Sequence, residues 1–308
     1  MNARRGKSLS VSALDFRTRL ESELKDIRGE LLAGTFRFGA YRKFTILDPK
    51  KRVICAAPFR ERVVHHAMVR VIGPELERFQ IHHSYACRVG KGTKRAVLQA
   101  FSWARSTPWY LKLDVRKYYD SIDHERLFKM LCGRFKDRRL LDLLAGLIDS
   151  YSTALGKGLP IGNLTSQYFA NHYLGLFDHH AEARGTSHRY LRYMDDMLFF
   201  VPDVDASSLA LREAEKFLSG NLSLELKPPV TGSTADGIPF LGFLVYPDRI
   251  RLLAANKRRF RRKGSFLGHA LDSGYLSEKE AGDRANALVS VRSVAKCRAL
   301  ANSIWYGG

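Results

Sequence analysis

Apolar positions in this chain follow two rhythms. Leu14, Leu20, Leu24, Ile27 and Leu31 recur at helical spacing ahead of Gly34, which predicts a helix over residues 12–33 closed by glycine. Residues 41–47 and 52–56 are short apolar-rich runs around Asp48-Pro49-Lys50-Lys51, and they predict a strand–turn–strand unit with basic residues near its tip. Helical spacing returns over residues 60–73 through Val63, Val64, Ala67, Met68 and Val71. Trp109 to Asp114 alternates as a strand does and ends in an acid. Residues 123–151 are expected to be helical, 158–162 a loop, and Asn163 the N-cap of a helix reaching about residue 182. Two further strand-like runs flank residues 193–196, a helix is expected over 206–220, and 238–245 reads as a tight strand pair. Beyond residue 249 the pattern is basic and mostly helical. Mixed strands and helices in this order imply an α+β fold with a basic helical lobe at the C-terminal side.

Charge sharpens the picture. The 308 residues carry 51 Lys and Arg against 31 Asp and Glu, a formal +20, which suggests a polyanionic partner, nucleic acid ahead of an acidic membrane. No basic helix has the clean apolar face that membrane binding requires. Cys55, Cys87, Cys132 and Cys297 are scattered without a Cys-x-x-Cys pair, which argues against a zinc ribbon or a disulfide framework. With no signal peptide or long apolar run, a soluble cytoplasmic protein is expected. The pairs His65–His66 and His179–His180 lack metal-ligand spacing and are read as helix-surface polar residues. The segment from Cys87 to Gly92 is glycine-rich and basic but lacks the full phosphate-loop pattern.

The chemistry centres on Tyr193-Met194-Asp195-Asp196, between two strand-like runs and therefore at a hairpin tip. Adjacent carboxylates repel, and a hard divalent cation would offset that cost. Asp114 ends a strand about eighty residues earlier and can converge on the same sheet edge. Three carboxylates there could hold two metal ions roughly 3.5–4 Å apart, the arrangement that transfers nucleotidyl groups.

Four segments together resemble reverse transcriptases in order and spacing across about residues 20–250. Leu113-Asp114-Val115-Arg116-Lys117-Tyr118-Tyr119-Asp120 is similar to the first palm motif, and the run from Gly158 to Gln167 to the second. Tyr193 to Asp196 is similar to the third, and Phe240-Leu241-Gly242-Phe243 to the turn that grips the primer end. The resemblance implies a right-hand polymerase: fingers within 1–108 and partly within 125–157, palm over 109–245, and a short helical thumb over 246–308. It implies two Mg²⁺ ions, replaceable by Mn²⁺, on Asp114, Asp195 and the Val115 carbonyl, with Asp196 assisting. It places Arg60, Arg62, Lys117, Tyr118, Tyr119, Ile161, Gly162 and Lys227 around the incoming nucleotide. Tyr119 would exclude a 2′-OH by its flat ring, and Lys227 would protonate pyrophosphate. Phe240, Leu241 and Gly242 would form the primer grip, and the Cys87–Gly92 stretch would lie near the template.

The second motif departs from the common Gln-Gly and Ser-Pro pattern. Ile161-Gly162 followed by Ser166-Gln167 resembles the reverse transcriptases of diversity-generating retroelements. Those enzymes copy a template-repeat RNA into cDNA with errors at adenines, and work with a small basic accessory protein that forms an oligomer. The partners so implied are template RNA, a primer or cDNA strand, and that accessory oligomer, with no membrane. An anti-phage or group-II-like bacterial reverse transcriptase remains an alternative, as does a catalytically idle RNA-binding scaffold.

Overall fold

The computed structural model describes residues 11–47, 51–183 and 189–290. The chain forms two compact units. One comprises Met1–His82, Val115–His180 and Ala214–Lys227; the other comprises His83–Asp114, Ala181–Glu213 and Pro228–Gly308.

In the first unit, the single helix expected over 12–33 is two, α1 (Val11–Thr18) and α2 (Leu20–Ala33). The chain leaves helical geometry at Arg19, with φ −112° and ψ 28°. Gly34 ends α2 at φ 70°, where its N–H and that of Thr35 turn back onto Leu31 and Glu30 carbonyls. Strands β1 (Arg42–Ile46) and β2 (Arg52–Ala56) pair antiparallel, Arg42 opposite Ala56 and Ile46 opposite Arg52. Most of their expected turn, residues 48–50, lies outside the described residues, as do Cys297 and the end of the expected thumb.

Helix α3 (Phe59–Arg78) runs through Gly73-Pro74, past the end predicted at residue 73. Ile72 and Leu76 are fully buried, and that packing outweighs the one helix hydrogen bond Pro74 cannot make. The buried stripe is Val64, Met68, Ile72 and Leu76, whereas Val71 is 66% exposed, so the expected stripe is rotated. His65 belongs to the buried side, which corrects its reading as a surface residue. Small residues admit close neighbours from α8 (Leu164–Ala183): a Cβ on Gly73 would meet Tyr168 at 3.3 Å, and one on Gly175 would meet Phe79 at 2.8 Å. Asn163 precedes α8 as expected, yet its buried amide makes no cap hydrogen bond.

After α5 (Tyr118–Ser121), the helix expected over 123–151 divides into α6 (His124–Arg134) and α7 (Arg138–Asp149). Each has its own aspartate cap: Asp123 accepts from Arg126 N–H and Asp137 from Leu140 N–H.

The second unit is built on a four-stranded antiparallel sheet of β3 (Trp109–Asp114), β4 (Arg189–Tyr193), β5 (Asp196–Val201) and β6 (Val230–Ser233), ordered β4-β5-β3-β6. A smaller sheet joins β7 (Ile238–Phe240), β8 (Phe243–Val245) and β9 (Ile250–Leu252). Helix α4 (Thr93–Ala104), not among the expected elements, buries Ala96, Val97, Ala100 and Ala104 in one core with Tyr110, Leu198, Phe200, Phe240 and Val245. Helix α9 (Val204–Leu222) has residues in both units. Then come α10 (Ala254–Asp272) and α11 (Glu278–Ser290), which share an apolar cluster of Leu267, Ala270, Leu276 and Ala281. On α10, Lys257, Arg258, Arg261 and Arg262 remain exposed. Among the described residues no helix is long and apolar enough to cross a membrane.

Candidate active site

Strand register assembles the acids of the second unit. Asp114 is the register partner of Asp196 across β3 and β5, and Tyr193 is the partner of Asp196 across β4 and β5. Met194 and Asp195 are therefore a two-residue hairpin turn, with Met194 at φ 57°. A positive φ on a non-glycine residue costs on the order of 1 kcal/mol and persists only when neighbours enforce it. Arg192, fully buried, supplies one such constraint: its guanidinium donates to the Met194 carbonyl at 2.9 Å. Its own backbone is fixed by Arg192 N–H to His83 O and Tyr85 N–H to Arg192 O. Beside the turn, the Tyr193 hydroxyl accepts from Thr93 Oγ1 at 3.1 Å, which links it to α4.

Asp196 has a cation at hand. Lys112 Nζ stands 3.2 Å from its Oδ1 and also donates to the Pro239 carbonyl at 3.1 Å. Among the described residues no three His, Cys, Asp or Glu side chains already stand in a metal-holding cluster. The donors at this strand end are nonetheless all carboxylate oxygens, the chemistry that fits a hard divalent cation.

In the same unit, Leu241 and Gly242 form the β7–β8 turn, with φ 48° and 88°, the double positive φ of a type I′ hairpin. A Cβ on Gly242 would fall 2.0 Å from Asn256 Nδ2, and the Gly242 carbonyl accepts from both Asn256 Nδ2 and Leu253 N–H. Phe240, expected in the primer grip, is fully buried in the core, whereas Leu241 and Gly242 lie in the turn.

The nucleotide-side candidates belong to the first unit. Val115, next in the chain to Asp114, bridges Leu226 antiparallel, and Lys227 follows Leu226 directly. Lys117 is exposed at φ 45° and opens α5. Tyr118 is a core residue whose hydroxyl donates to the Ala170 carbonyl, so it has no face left for a nucleotide. Tyr119 is only half-buried. Its carbonyl accepts Leu159 N–H at 2.8 Å, and Ile122 O accepts Gly158 N–H at 2.8 Å, which fastens the 158–162 loop to the tyrosine turn. The loop's other side meets β2: Ile161 O accepts Cys55 N–H at 2.8 Å. Gly162 sits at φ 122°, and a Cβ there would lie 2.8 Å from Ile54 Cγ2. The glycine is obligatory for that approach.

The two arginines differ. Arg60 is engaged with Glu30 through two 2.9 Å bonds and with Glu23 at 3.3 Å, a structural ion-pair role that opposes the triphosphate role expected of it. Arg62 lies over the Phe59 ring at 5.0 Å, and its buried Nε has no hydrogen-bond partner among the described residues. Burial pushes its guanidinium pKa down. Lys112 and Arg192 were not among the expected site residues; the signal available was a lysine inside the apolar run of β3 and a second arginine in β4.

The fold mixes helices with antiparallel sheets and carries acids on adjacent strands. Residues 42–245 match the family described as reverse transcriptase (RNA-dependent DNA polymerase), and the chain belongs to that family. It is 27% identical to Protein YkfC of Escherichia coli (strain K12) over 288 residues, covering 78% of this chain and 76% of that protein. It is 26% identical over 168 residues to the putative COX1/OXI3 intron 1 protein of Saccharomyces cerevisiae, covering 52% of this chain but 20% of that protein. The fold matches telomerase from Candida albicans in complex with a TWJ fragment of telomeric RNA at TM-score 0.54 and 14% identity, covering 86% of this chain and 55% of that one. Telomerase from Candida tropicalis with the TWJ fragment matches at TM-score 0.56 and 11% identity, over 87% and 55%. The chain thus spans about half of the telomerase chains and about a fifth of the yeast intron protein.

Proposed function

We propose that this protein copies a template-repeat RNA into cDNA, with errors concentrated at template adenines, as the polymerase of a diversity-generating retroelement. The polymerase part of this reading is supported above all by the register that pairs Asp114 with Asp196 beside the Asp195 turn. Two Mg²⁺ ions held by Asp114, Asp195 and the Val115 carbonyl, with Asp196 assisting, would lower the pKa of the primer hydroxyl and neutralise the leaving pyrophosphate. Arg62 grips the triphosphate with its planar fork, and the Tyr119 ring excludes a 2′-OH. Lys227 supplies a proton to pyrophosphate. The Leu241–Gly242 turn steadies the primer end. Residues 1–108 with part of 125–157 act as fingers, 109–245 as palm and 246–308 as thumb. A small basic accessory oligomer is the expected protein partner.

The infidelity follows from position 161. A glutamine there could reward correct pairing geometry with a hydrogen bond, whereas the Ile161 side chain has no polar atom to offer. One lost polar contact is worth on the order of 0.5–1.5 kcal/mol, up to about tenfold in selectivity. The test is sequencing of cDNA made on a defined RNA, with errors tabulated by template base. Errors should concentrate opposite adenine and diminish in Ile161→Gln. Similarity to the yeast intron proteins favours a second reading, a group-II-like enzyme with another template. Errors that are rare and evenly spread over the four bases would select it.

A further inference from the structure

We propose that Lys112 is a positioning residue for nucleotide addition: its ammonium is the built-in counter-charge of Asp196 and ties the acid-bearing strands to the β7–β8 hairpin. Both contacts come from one atom, Nζ, at 3.2 Å from Asp196 Oδ1 and 3.1 Å from Pro239 O. The strand's period of two sets Lys112 and Asp114 on the same face, with Leu198 and Asp196 as their respective partners on β5. Lys112 therefore reaches its carboxylate diagonally, within the range of a long side chain. The two side chains are 21% and 28% exposed, so the pair is less screened than one standing in open water.

A half-buried lysine in a strand loses rotamer freedom and hydration, and the arrangement around it explains its presence. Asp114 and Asp196 are register partners with Asp195 next to them in the turn, and Lys112 offsets the charge of Asp196. It also occupies Asp196. Through that pair Asp196 shapes the strand end that bears Asp114 and the turn that bears Asp195. The second bond falls on β7, whose turn with β8 carries Leu241 and Gly242. One ammonium thus keeps the acids and the expected primer-contacting turn in fixed relation.

This inference rests on the acid site being the metal site proposed above. The test compares the full chain with Lys112→Met, Lys112→Arg and Asp195→Asn. Binding of Mn²⁺ alone is followed by electron paramagnetic resonance, and single-nucleotide addition is measured on a DNA primer paired to RNA. In Lys112→Met, Mn²⁺ should bind roughly threefold to tenfold more tightly, since a positive charge a few ångströms away is gone. Its kcat should fall roughly tenfold to a hundredfold, as misplacement of reacting groups does, with KM for the nucleotide little changed. Lys112→Arg should restore most of the rate. Tighter metal binding with slower chemistry separates positioning from a damaged fold, which weakens both. Lys112→Met that matches the parent in both readouts, or weakens both, overturns the proposal. Parent Mn²⁺ binding indifferent to Asp195→Asn would remove the metal site itself, and the role of Lys112 with it.

Discussion

Tyr119 and Tyr118 are adjacent, and burial alone gives them different work. Tyr118 is spent on the core through its bond to Ala170, while Tyr119 is only half-buried and holds the 158–162 loop through its carbonyl. In the proposed role, truncating the Tyr119 side chain to a methyl group would open the space that a 2′-OH needs. Tyr119→Ala should relax discrimination against ribonucleotides on the order of tenfold or more, measured as the ratio of kcat/KM for deoxy- and ribonucleotides. Unaltered sugar selection would make Tyr119 ordinary packing. That Asp114 ends a strand and that Asp195 lies in a hairpin turn before Asp196 was legible in the sequence, because each sits in a short motif whose neighbours define its geometry. Arg60, Arg192 and Lys112 were not, because their roles depend on partners distant in sequence or set by the fold: Glu23 and Glu30, the Met194 carbonyl, and Asp196 with Pro239.

Helices α3 and α8 each bury one imidazole. His65 is held by the Thr165 hydroxyl at 2.8 Å, and His172 lies against the Phe79 ring at 4.8 Å. Burial, aided by repulsion from His66, pushes His65 down to about 4. Burial, aided by Arg134, pushes His172 down to about 4 as well. Both are neutral in the folded chain, whereas the unfolded chain takes up their protons near pH 6.5. Their contribution is therefore full above about pH 6.5 and is lost as pH falls toward 4, on the order of 3 kcal/mol for each. Urea unfolding between pH 7.5 and 4.5 should show that slope, and His172→Leu should remove its share; a flat profile in the parent chain would contradict the assignment. Elements with strong local patterns, β1 to β5 and α2, were legible. The run of α3 through Pro74 was not, since the burial of Ile72 and Leu76 that sustains it is tertiary. Helix α4 has no polar cap at Gly92, and β6 is four residues paired to β3, so neither announces itself locally.

At the scale of the whole molecule, a net charge of +20 and a polymerase fold point to nucleic acid held largely by its phosphates. Helix α10 adds the exposed cations Lys257, Arg258, Arg261 and Arg262 to that charge. Binding and catalysis should therefore come apart. The fold class was readable from the order of motifs, whereas the division into two units made of interleaved segments was not, because it depends on contacts across long stretches of chain. The most direct measurement is extension of a DNA primer on an RNA template with Mg²⁺, run beside RNA-binding affinity, for the parent chain and Asp114→Asn. The parent should extend the primer, and the variant should lose extension on the order of a thousandfold while binding RNA as the parent does. Extension by Asp114→Asn at the parent's rate would contradict the acid site as the seat of polymerisation.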